Sequence, residues 1–481
     1  MAESVNRSDD HVASEGGEYS GLRLNLVMAL ITTTLFMEML DGSVILTALP
    51  TMARSFHSST IELNFGVSIY LLALGVFIPI SGWAADRFGA RVIFTSAIGL
   101  FTVSSALCGA ADGVLEFVIL RGFQGLAGAM MVPVGRLVVM RITPRGQLLR
   151  RMSALLWPAL SAPLLGPPLG GFITLHWGWR WIFYLNVPIG IVALAVSLIL
   201  IPDVRGDGPR KFDGLGFFLV GGCTVALLSG LEWMVASDPS IGVALIGVGI
   251  VLARASWRHL RRAEQPIVDL SALNAQTYLA SIRGGSINRM AIGSVPFLLP
   301  LQFQEGFGMN PARSGFLVLF VFLGNLGMKA FTTPLLKRFG FKRILLVNGV
   351  LAAASIAGCA LLTLHTEEWV IIALLLFGGA SRSLQFTTLS TLTVADIPKS
   401  MMKDSNSLFH AVLQISSAAG IAFAAFGVRL ATLGLGGWDA HAGADAYRAG
   451  FILMALVALF GLFDAIRLPS GAGIEFVRQS R

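Results

Sequence analysis

Long apolar runs, each about 20 residues and each broken by a short polar stretch, repeat along almost the whole chain. A helix rises 1.5 Å per residue, so a run of that length matches the roughly 30 Å hydrocarbon layer of a bilayer. The runs fall near 23–48, 61–83, 92–111, 114–140, 152–175, 181–201, 214–236, 240–257, 277–303, 313–335, 343–364, 369–395, 405–433 and 447–468. Lipid offers no partner to backbone N–H and C=O groups, so each run is expected to be a membrane helix that satisfies its own backbone. Lys and Arg gather in alternate connections, which places that side, with both termini, in the cytoplasm.

Composition agrees with this pattern. The 481 residues are 55% hydrophobic and 13% charged, with a mean hydropathy of +0.74, whereas soluble domains carry about 25% charged residues. A net charge of +8 raises the question of nucleic acid, but the basic residues are scattered through short loops between apolar runs. Cys108, Cys223 and Cys359 all lie in apolar runs, so neither a disulfide framework nor a metal-ligand spacing is available. Residues 1–21 are polar and acidic and have no signal-peptide pattern, which leaves the first span to direct insertion.

Two polar segments, Pro202–Phe212 and Arg258–Gln276, divide the chain. The organisation read from them is a cytoplasmic tail (1–22), a six-helix bundle (23–201), two inserted helices with linkers (202–276), a second six-helix bundle (277–468) and a cytoplasmic tail (469–481). Arg87-Phe88-Gly89, after the second run, is echoed by Arg338-Phe339-Gly340, and Lys337 stands where the first copy has Asp86. Each copy sits one helix pair into a run of six, as two related halves require. The two leftover spans, 214–236 and 240–257, are expected to lie outside a twelve-helix core.

Four polar motifs interrupt the apolar pattern. Gly82-Trp83-Ala84-Ala85-Asp86-Arg87-Phe88-Gly89-Ala90-Arg91 joins the second and third runs; its glycines permit a tight reversal, and Arg87 and Arg91 fix its side. It resembles the loop between helices 2 and 3 of the major facilitator superfamily, with Ala84 and Ala90 as departures. Leu40-Asp41-Gly42-Ser43 through Leu49-Pro50 resembles the end of helix 1 in that superfamily's fourteen-helix drug:proton antiporters, with Leu46 in place of the usual Asn. Arg121-Gly122-Phe123-Gln124-Gly125 resembles the family's helix 4 pattern. Gly166-Pro167-Pro168-Leu169-Gly170-Gly171 resembles the helix 5 motif of the antiport branches, where prolines and glycines give a kinked, closely packed helix.

The resemblance implies an all-α integral membrane protein of the major facilitator fold, two six-helix bundles plus two additional transmembrane helices. It implies proton-driven export of small organic compounds or drugs across a bacterial inner membrane by a monomer working through alternating access. No cofactor other than the proton gradient and no metal is expected. Asp41, Glu38 and Arg121 are the expected proton-coupling residues, with Asp41 the principal carboxylate. Glu38 lies three residues from Asp41 and so shares its helix face, while an arginine in hydrocarbon costs about 3 kcal/mol and needs water or an acid. Gly82, Asp86, Arg87, Gly89, Arg91, Gly166, Pro167, Gly170 and Gly171 are expected to act in gating, with Asp86 facing the N-terminus of the helix opened by Asp404-Ser405-Asn406-Ser407. Trp177, Trp179, Trp181 and Tyr184 read as an interfacial aromatic belt.

Intramembrane cations mark the second half. Arg289, Lys329 and Arg382, with Gln124, Gln302 and Gln385, are candidates for the substrate cavity, and Arg283 lies nearer the cytoplasmic mouth. Those cations either neutralise Glu38, Asp41, Glu232 and Asp464 or make the cavity electropositive. The second case suits uptake of an organic anion by proton symport. A non-transporting membrane sensor is the remaining alternative, since fold alone does not fix function. No Walker-type phosphate loop is present, so nothing in the sequence supplies an ATPase, and no enzyme signature replaces it.

Overall fold

The computed structural model describes residues 21–143, 145–203, 212–236, 239–267, 270–395, 397, 402–436 and 443–469, and these are almost entirely helical. In chain order the helices of the first half are α1 (Gly21–Val44), α2 (Leu49–Ser55), α3 (Thr60–Phe88), α4 (Ala90–Ala110), α5 (Val114–Ile142), α6 (Arg145–His176), α7 (Trp181–Tyr184) and α8 (Asn186–Leu200). Then come the inserted pair α9 (Gly214–Ala236) and α10 (Pro239–Leu260). The second half contains α11 (Gln276–Leu301), α12 (Pro311–Ala360), α13 (Glu368–Ala395), α14 (Met402–Gly436), α15 (Ala444–Phe460) and α16 (Phe463–Arg467). Among the described residues, 11 helical stretches are long and apolar enough to cross a membrane. One of them, α12, holds two spans, and α6 and α11 are of crossing length although charged, so all fourteen runs find a helix.

Local chemistry sets several helix ends. Ser59 and Glu62 form a reciprocal capping box at the start of α3, and the Asn310 side chain accepts the Arg313 N–H ahead of Pro311 at the start of α12. The sequence repeat is also a structural repeat. Gly89 (φ 92°) ends α3, and Gly340 (φ 73°) bends α12, so both copies place glycine where an L side chain would be strained. Gly82 differs from its expected role, because α3 stays helical through Phe88 and the reversal belongs to Gly89 alone. A Cβ at Gly82 would meet nothing within 4 Å.

The core is distributed unequally along the bundle axis. At the end where α1 passes into α2, one continuous apolar cluster takes Leu40, Leu49, Phe117 and Phe183 from the first half and Phe297, Phe303, Val318 and Phe451 from the second. At the opposite end, which carries Gly89, each half has its own cluster among the described residues, around Phe94 and Val138 in one and around Phe341 and Leu392 in the other. Among the described residues, the two halves therefore share a core cluster at the Pro50 end, while the clusters at the Gly89 end stay within each half.

The inserted pair packs mainly on itself. Leu228 of α9 joins Leu72 and Val76 of α3 and Ala418 of α14, while only 17% of the apolar window of α10 is buried. Asp213 ties the base of the pair together. Its carboxylate accepts the Gly216 N–H at 2.8 Å and the Ile267 N–H at 3.1 Å, and lies 2.7 Å from His259 Nε2. Of the expected aromatic belt, Trp177 and Trp181 are exposed, but Trp179 is buried against Phe56 and Phe183, because its ring fills a core between the ends of α2, α5 and α7.

Candidate functional site

Helix α1 presents Asp41 inward one turn before it tightens, and α5 brings Arg121 to meet it. Arg121 Nη1 donates to Asp41 Oδ2 at 2.6 Å, with both side chains essentially inaccessible. Gln124, one turn further along α5, accepts from the same Nη1 at 2.7 Å and donates to Asp41 Oδ1 at 3.0 Å. Asn186, at the start of α8, donates to Asp41 Oδ1 at 2.9 Å and to Ser105 Oγ at 3.1 Å. The carboxylate thus has three donors, as a buried charge requires. The Arg121 guanidinium also lies 4.1 Å from the centre of the Tyr70 ring, in cation–π geometry.

Glu38 sits one turn before Asp41 and is in a different state. It is buried, but its Oε2 has no hydrogen-bond partner among the described residues. The charges near it are Asp41 on its own helix and Arg136 on α5. His410 on α14 lies within electrostatic range of both Arg136 and Arg289, so this row of groups bridges the two halves. A proton on Asp41 Oδ2 would compete with the Arg121 donor, whereas a proton on Glu38 Oε2 would displace no hydrogen bond among the described residues. Of the two carboxylates, Asp41 is the one fully held by donors and Glu38 the one left with an unpartnered oxygen among the described residues.

In the second half the cations have unequal partners. Arg283 pairs with Asp464 through two nitrogens, one at 2.9 Å, so neutralisation by an acid holds there. Arg289 donates to the Ser281 carbonyl at 3.0 Å and hydroxyl at 3.3 Å and lies 4.6 Å from the Phe409 ring centre. Lys329 donates to Thr387 at 3.2 Å. Arg382 is buried with two nitrogens, Nε and Nη1, lacking a partner among the described residues. Glu232 of α9 neutralises none of them; it accepts from Ser68 at 2.9 Å and Asn64 at 3.4 Å on α3. Gln302 donates to the Cys359 carbonyl and Gln385 to the Leu345 carbonyl, both within the second half, while Gln124 belongs to the Asp41 cage.

The motif on α6 explains the shared core. A Cβ at Gly170 would lie 2.3 Å from the Val44 carbonyl oxygen, and one at Gly171 would lie 2.2 Å from that of Pro311. Reciprocally, a Cβ at Gly315 would lie 2.2 Å from the Pro167 carbonyl oxygen, so α6 and α12 meet backbone to backbone across the halves. Gly166 packs instead against the Ser43 side chain of α1, within the first half. Polar contacts, of which those of Glu305 had no signal in the sequence, close the same end. Gln304 donates to the Thr47 carbonyl at 2.9 Å, and Thr60 and Tyr447 both donate to Glu305.

At the other end Asp86 pairs with Arg141 at 2.9 Å, and Arg91 reaches the Leu198 carbonyl at the end of α8, while Arg87 is exposed. The side chains of Asp404, Asn406 and Ser407, toward which Asp86 was expected to face, lie outside the described ones.

Two helical halves that share a core cluster at one end, with the buried Asp41–Arg121 pair inside the first half, define a multi-pass membrane protein. The chain belongs to the Major Facilitator Superfamily, whose family model matches residues 31–421, and it is a transporter of that fold. It is 37% identical over 391 residues to the "Putative multidrug resistance protein MdtD" of Pectobacterium carotovorum, covering 81% of this chain and 84% of that one. It is 35% identical over 444 residues to the protein of the same name from Cronobacter sakazakii, covering 90% and 92%. The fold is similar to a peptide transporter POT in complex with sulfate (TM-score 0.67, 14% identity, 91% and 93% covered) and to a D-xylose-proton symporter (TM-score 0.64, 15% identity, 93% and 98% covered).

Proposed function

We propose that this protein exports small organic compounds, drugs among them, across a bacterial inner membrane in exchange for protons. The observation that carries the reading is the pairing of two unlike carboxylates on one helix face: Asp41 held by Arg121, Gln124 and Asn186, and Glu38 with an unpartnered buried oxygen. Asp41 and Arg121 form a fixed dipole that orients the site. Glu38 carries the proton, because protonation removes its uncompensated charge without breaking a bond. A substrate that binds beside ionised Glu38 competes with that proton, and such competition for one charge is what exchange requires. The resemblance to proteins named for multidrug resistance supports organic compounds as cargo.

The distribution of the core supports alternating access. The Pro50 end is joined by Gly171, Gly315, Gln304 and Glu305, and among the described residues the clusters at the Gly89 end stay within each half, so opening one end and closing the other exposes the Glu38 row to each side in turn. The distribution of Lys and Arg places the Gly89 end and both termini in the cytoplasm. One observation favours a second reading, uptake of an organic anion: among the described residues, Arg289 is buried without a carboxylate partner.

The two readings separate in proteoliposomes containing the purified protein and a pH-sensitive dye. Adding a substrate outside to vesicles without a pH gradient should drive protons out of the lumen if the protein exchanges them, and into it if it carries both together. The proposal requires lumenal alkalinisation with lipophilic organic compounds, and lumenal acidification with organic anions would replace it by the second reading.

A further inference from the structure

Arg382 of α13 has a local setting unlike that of any other buried cation described above. It is 7% exposed, and its Nε and Nη1 are buried with no hydrogen-bond partner among the described residues. Among the described residues, the ionisable side chain within its electrostatic range is the Cys359 thiol. Arg121 has Asp41, and Arg289, which also lacks a carboxylate, has a carbonyl, a hydroxyl and an aromatic face; among the described residues Arg382 has neither a carboxylate nor a partner at Nε and Nη1. A guanidinium keeps its charge in proteins, and a buried charge left unpaired is strongly destabilising. Something must supply the opposite charge.

The space beside it restricts what that can be. Arg382 lines a cavity of about 10 Å3 with Ser355, Cys359, Gly378, Val295 and Val321. That is room for one water-sized particle, far below the roughly 300 Å3 at which pockets for organic ligands begin. Gly379 lines one side, its backbone so near α12 that a Cβ there would lie 1.9 Å from the Val321 carbonyl oxygen. Ser355 and Cys359 donate their hydrogens to carbonyls of their own helix, so the guanidinium is the donor that remains. Organic substrates and ligand carboxylates are too large. A water would satisfy the N–H groups but leave the charge.

We propose that Arg382, between α13 and the two arms of α12, holds a single monatomic inorganic anion of the chloride class within the second half of the bundle. The site stands apart from the Glu38 row and does not depend on the direction of transport. The ion completes the charge balance of the half that lacks an Asp41 equivalent.

The test uses the full-length protein purified in a neutral, chloride-free detergent buffer. Equilibrium binding of 36Cl⁻ should saturate at one ion per chain, be displaced by bromide and be unaffected by gluconate. Crystals soaked in bromide should show an anomalous peak beside the Arg382 guanidinium. Thermal unfolding at matched ionic strength should be shifted upward by chloride over gluconate in the wild type and in Arg289→Gln, and the shift should vanish in Arg382→Gln. If Arg382→Gln does not fold, the bromide position and the 36Cl⁻ stoichiometry decide the matter on the wild type. No 36Cl⁻ binding, a bromide peak only at other sites, or a chloride shift that survives Arg382→Gln would overturn the proposal, and a water would then fill the cavity.

Discussion

Separating Asp41 from Arg121 tests whether the buried pair acts as a unit. In Asp41→Asn the amide still accepts from Gln124 and Asn186, but Arg121 loses its 2.6 Å partner and keeps only the Gln124 oxygen and the Tyr70 ring. In Arg121→Met the Asp41 carboxylate keeps two amide donors and loses its countercharge. Breaking a buried ion pair from one side costs about 3–5 kcal/mol, because the surviving charge stays buried and uncompensated. Removing both charges avoids that penalty, and neutral replacements of buried pairs are often tolerated. The double variant should therefore be more stable than the sum of the singles by about 2–3 kcal/mol. Unfolding by denaturing detergent in mixed micelles, followed by tryptophan fluorescence, measures each corner of the cycle. Additive losses within about 0.5 kcal/mol would mean that the two residues act independently and that the pair is not the electrostatic centre of the first half.

Other substitutions test other links. Gly171→Val should drive α6 and α12 apart at the Pro50 end and lower several-fold the disulfide yield between cysteines placed at Thr47 and Gln304; an unchanged yield would remove the gating role of the motif. Asp86→Asn should leave unfolding within about 1 kcal/mol of wild type, since its pair with Arg141 is partly exposed, yet reduce transport several-fold if Asp86 also latches the Gly89 end. At the base of the inserted pair, burial pulls the Asp213 carboxyl upward, but the Gly216 N–H, the His259 side chain and the Ile267 N–H together hold it below the usual carboxylate range. A depressed carboxyl stabilises the fold at pH above its unfolded value near 4, and the contribution is lost as the pH falls through the lower folded value. Asp213→Ala should cost about 0.5–2 kcal/mol at neutral pH and flatten the acid limb of a thermal-stability profile below pH 4; an unaltered acid limb would mean that Asp213 does not clasp the pair.

Much of this architecture was legible because a bilayer imposes so few solutions on a chain. Each apolar run had to become a helix, and the Arg87-Phe88-Gly89 echo at Arg338-Phe339-Gly340 marked a repeat that Gly89 and Gly340 now show in their backbone angles. Asp41 and Arg121 could be matched in advance because charges of opposite sign in hydrocarbon have strong reason to meet. Residues whose role depends on which way a helix faces were not legible. Gln124 looked like a cavity wall and proved to be part of the Asp41 cage, and Asn186 and Ser105 went unnoticed although each is a polar residue in an apolar run. Trp179 was indistinguishable in sequence from the exposed Trp177 and Trp181, yet packing turned it inward. Glu305 closes the Pro50 end through contacts with residues 245 and 142 positions away, and no local pattern encodes such a meeting.

The central claim is that Glu38 carries the proton which drives export, while the Asp41–Arg121 pair orients the site. Proteoliposomes with an imposed pH gradient allow two reactions to be compared on one preparation: uphill accumulation of a labelled substrate, and its exchange against unlabelled substrate with no gradient. Glu38→Gln mimics the protonated form permanently. It should abolish gradient-driven accumulation and remove the pH dependence of exchange, while exchange itself continues. If Glu38→Gln accumulates substrate against its gradient at the wild-type rate, the proton travels on another group and the assignment is wrong.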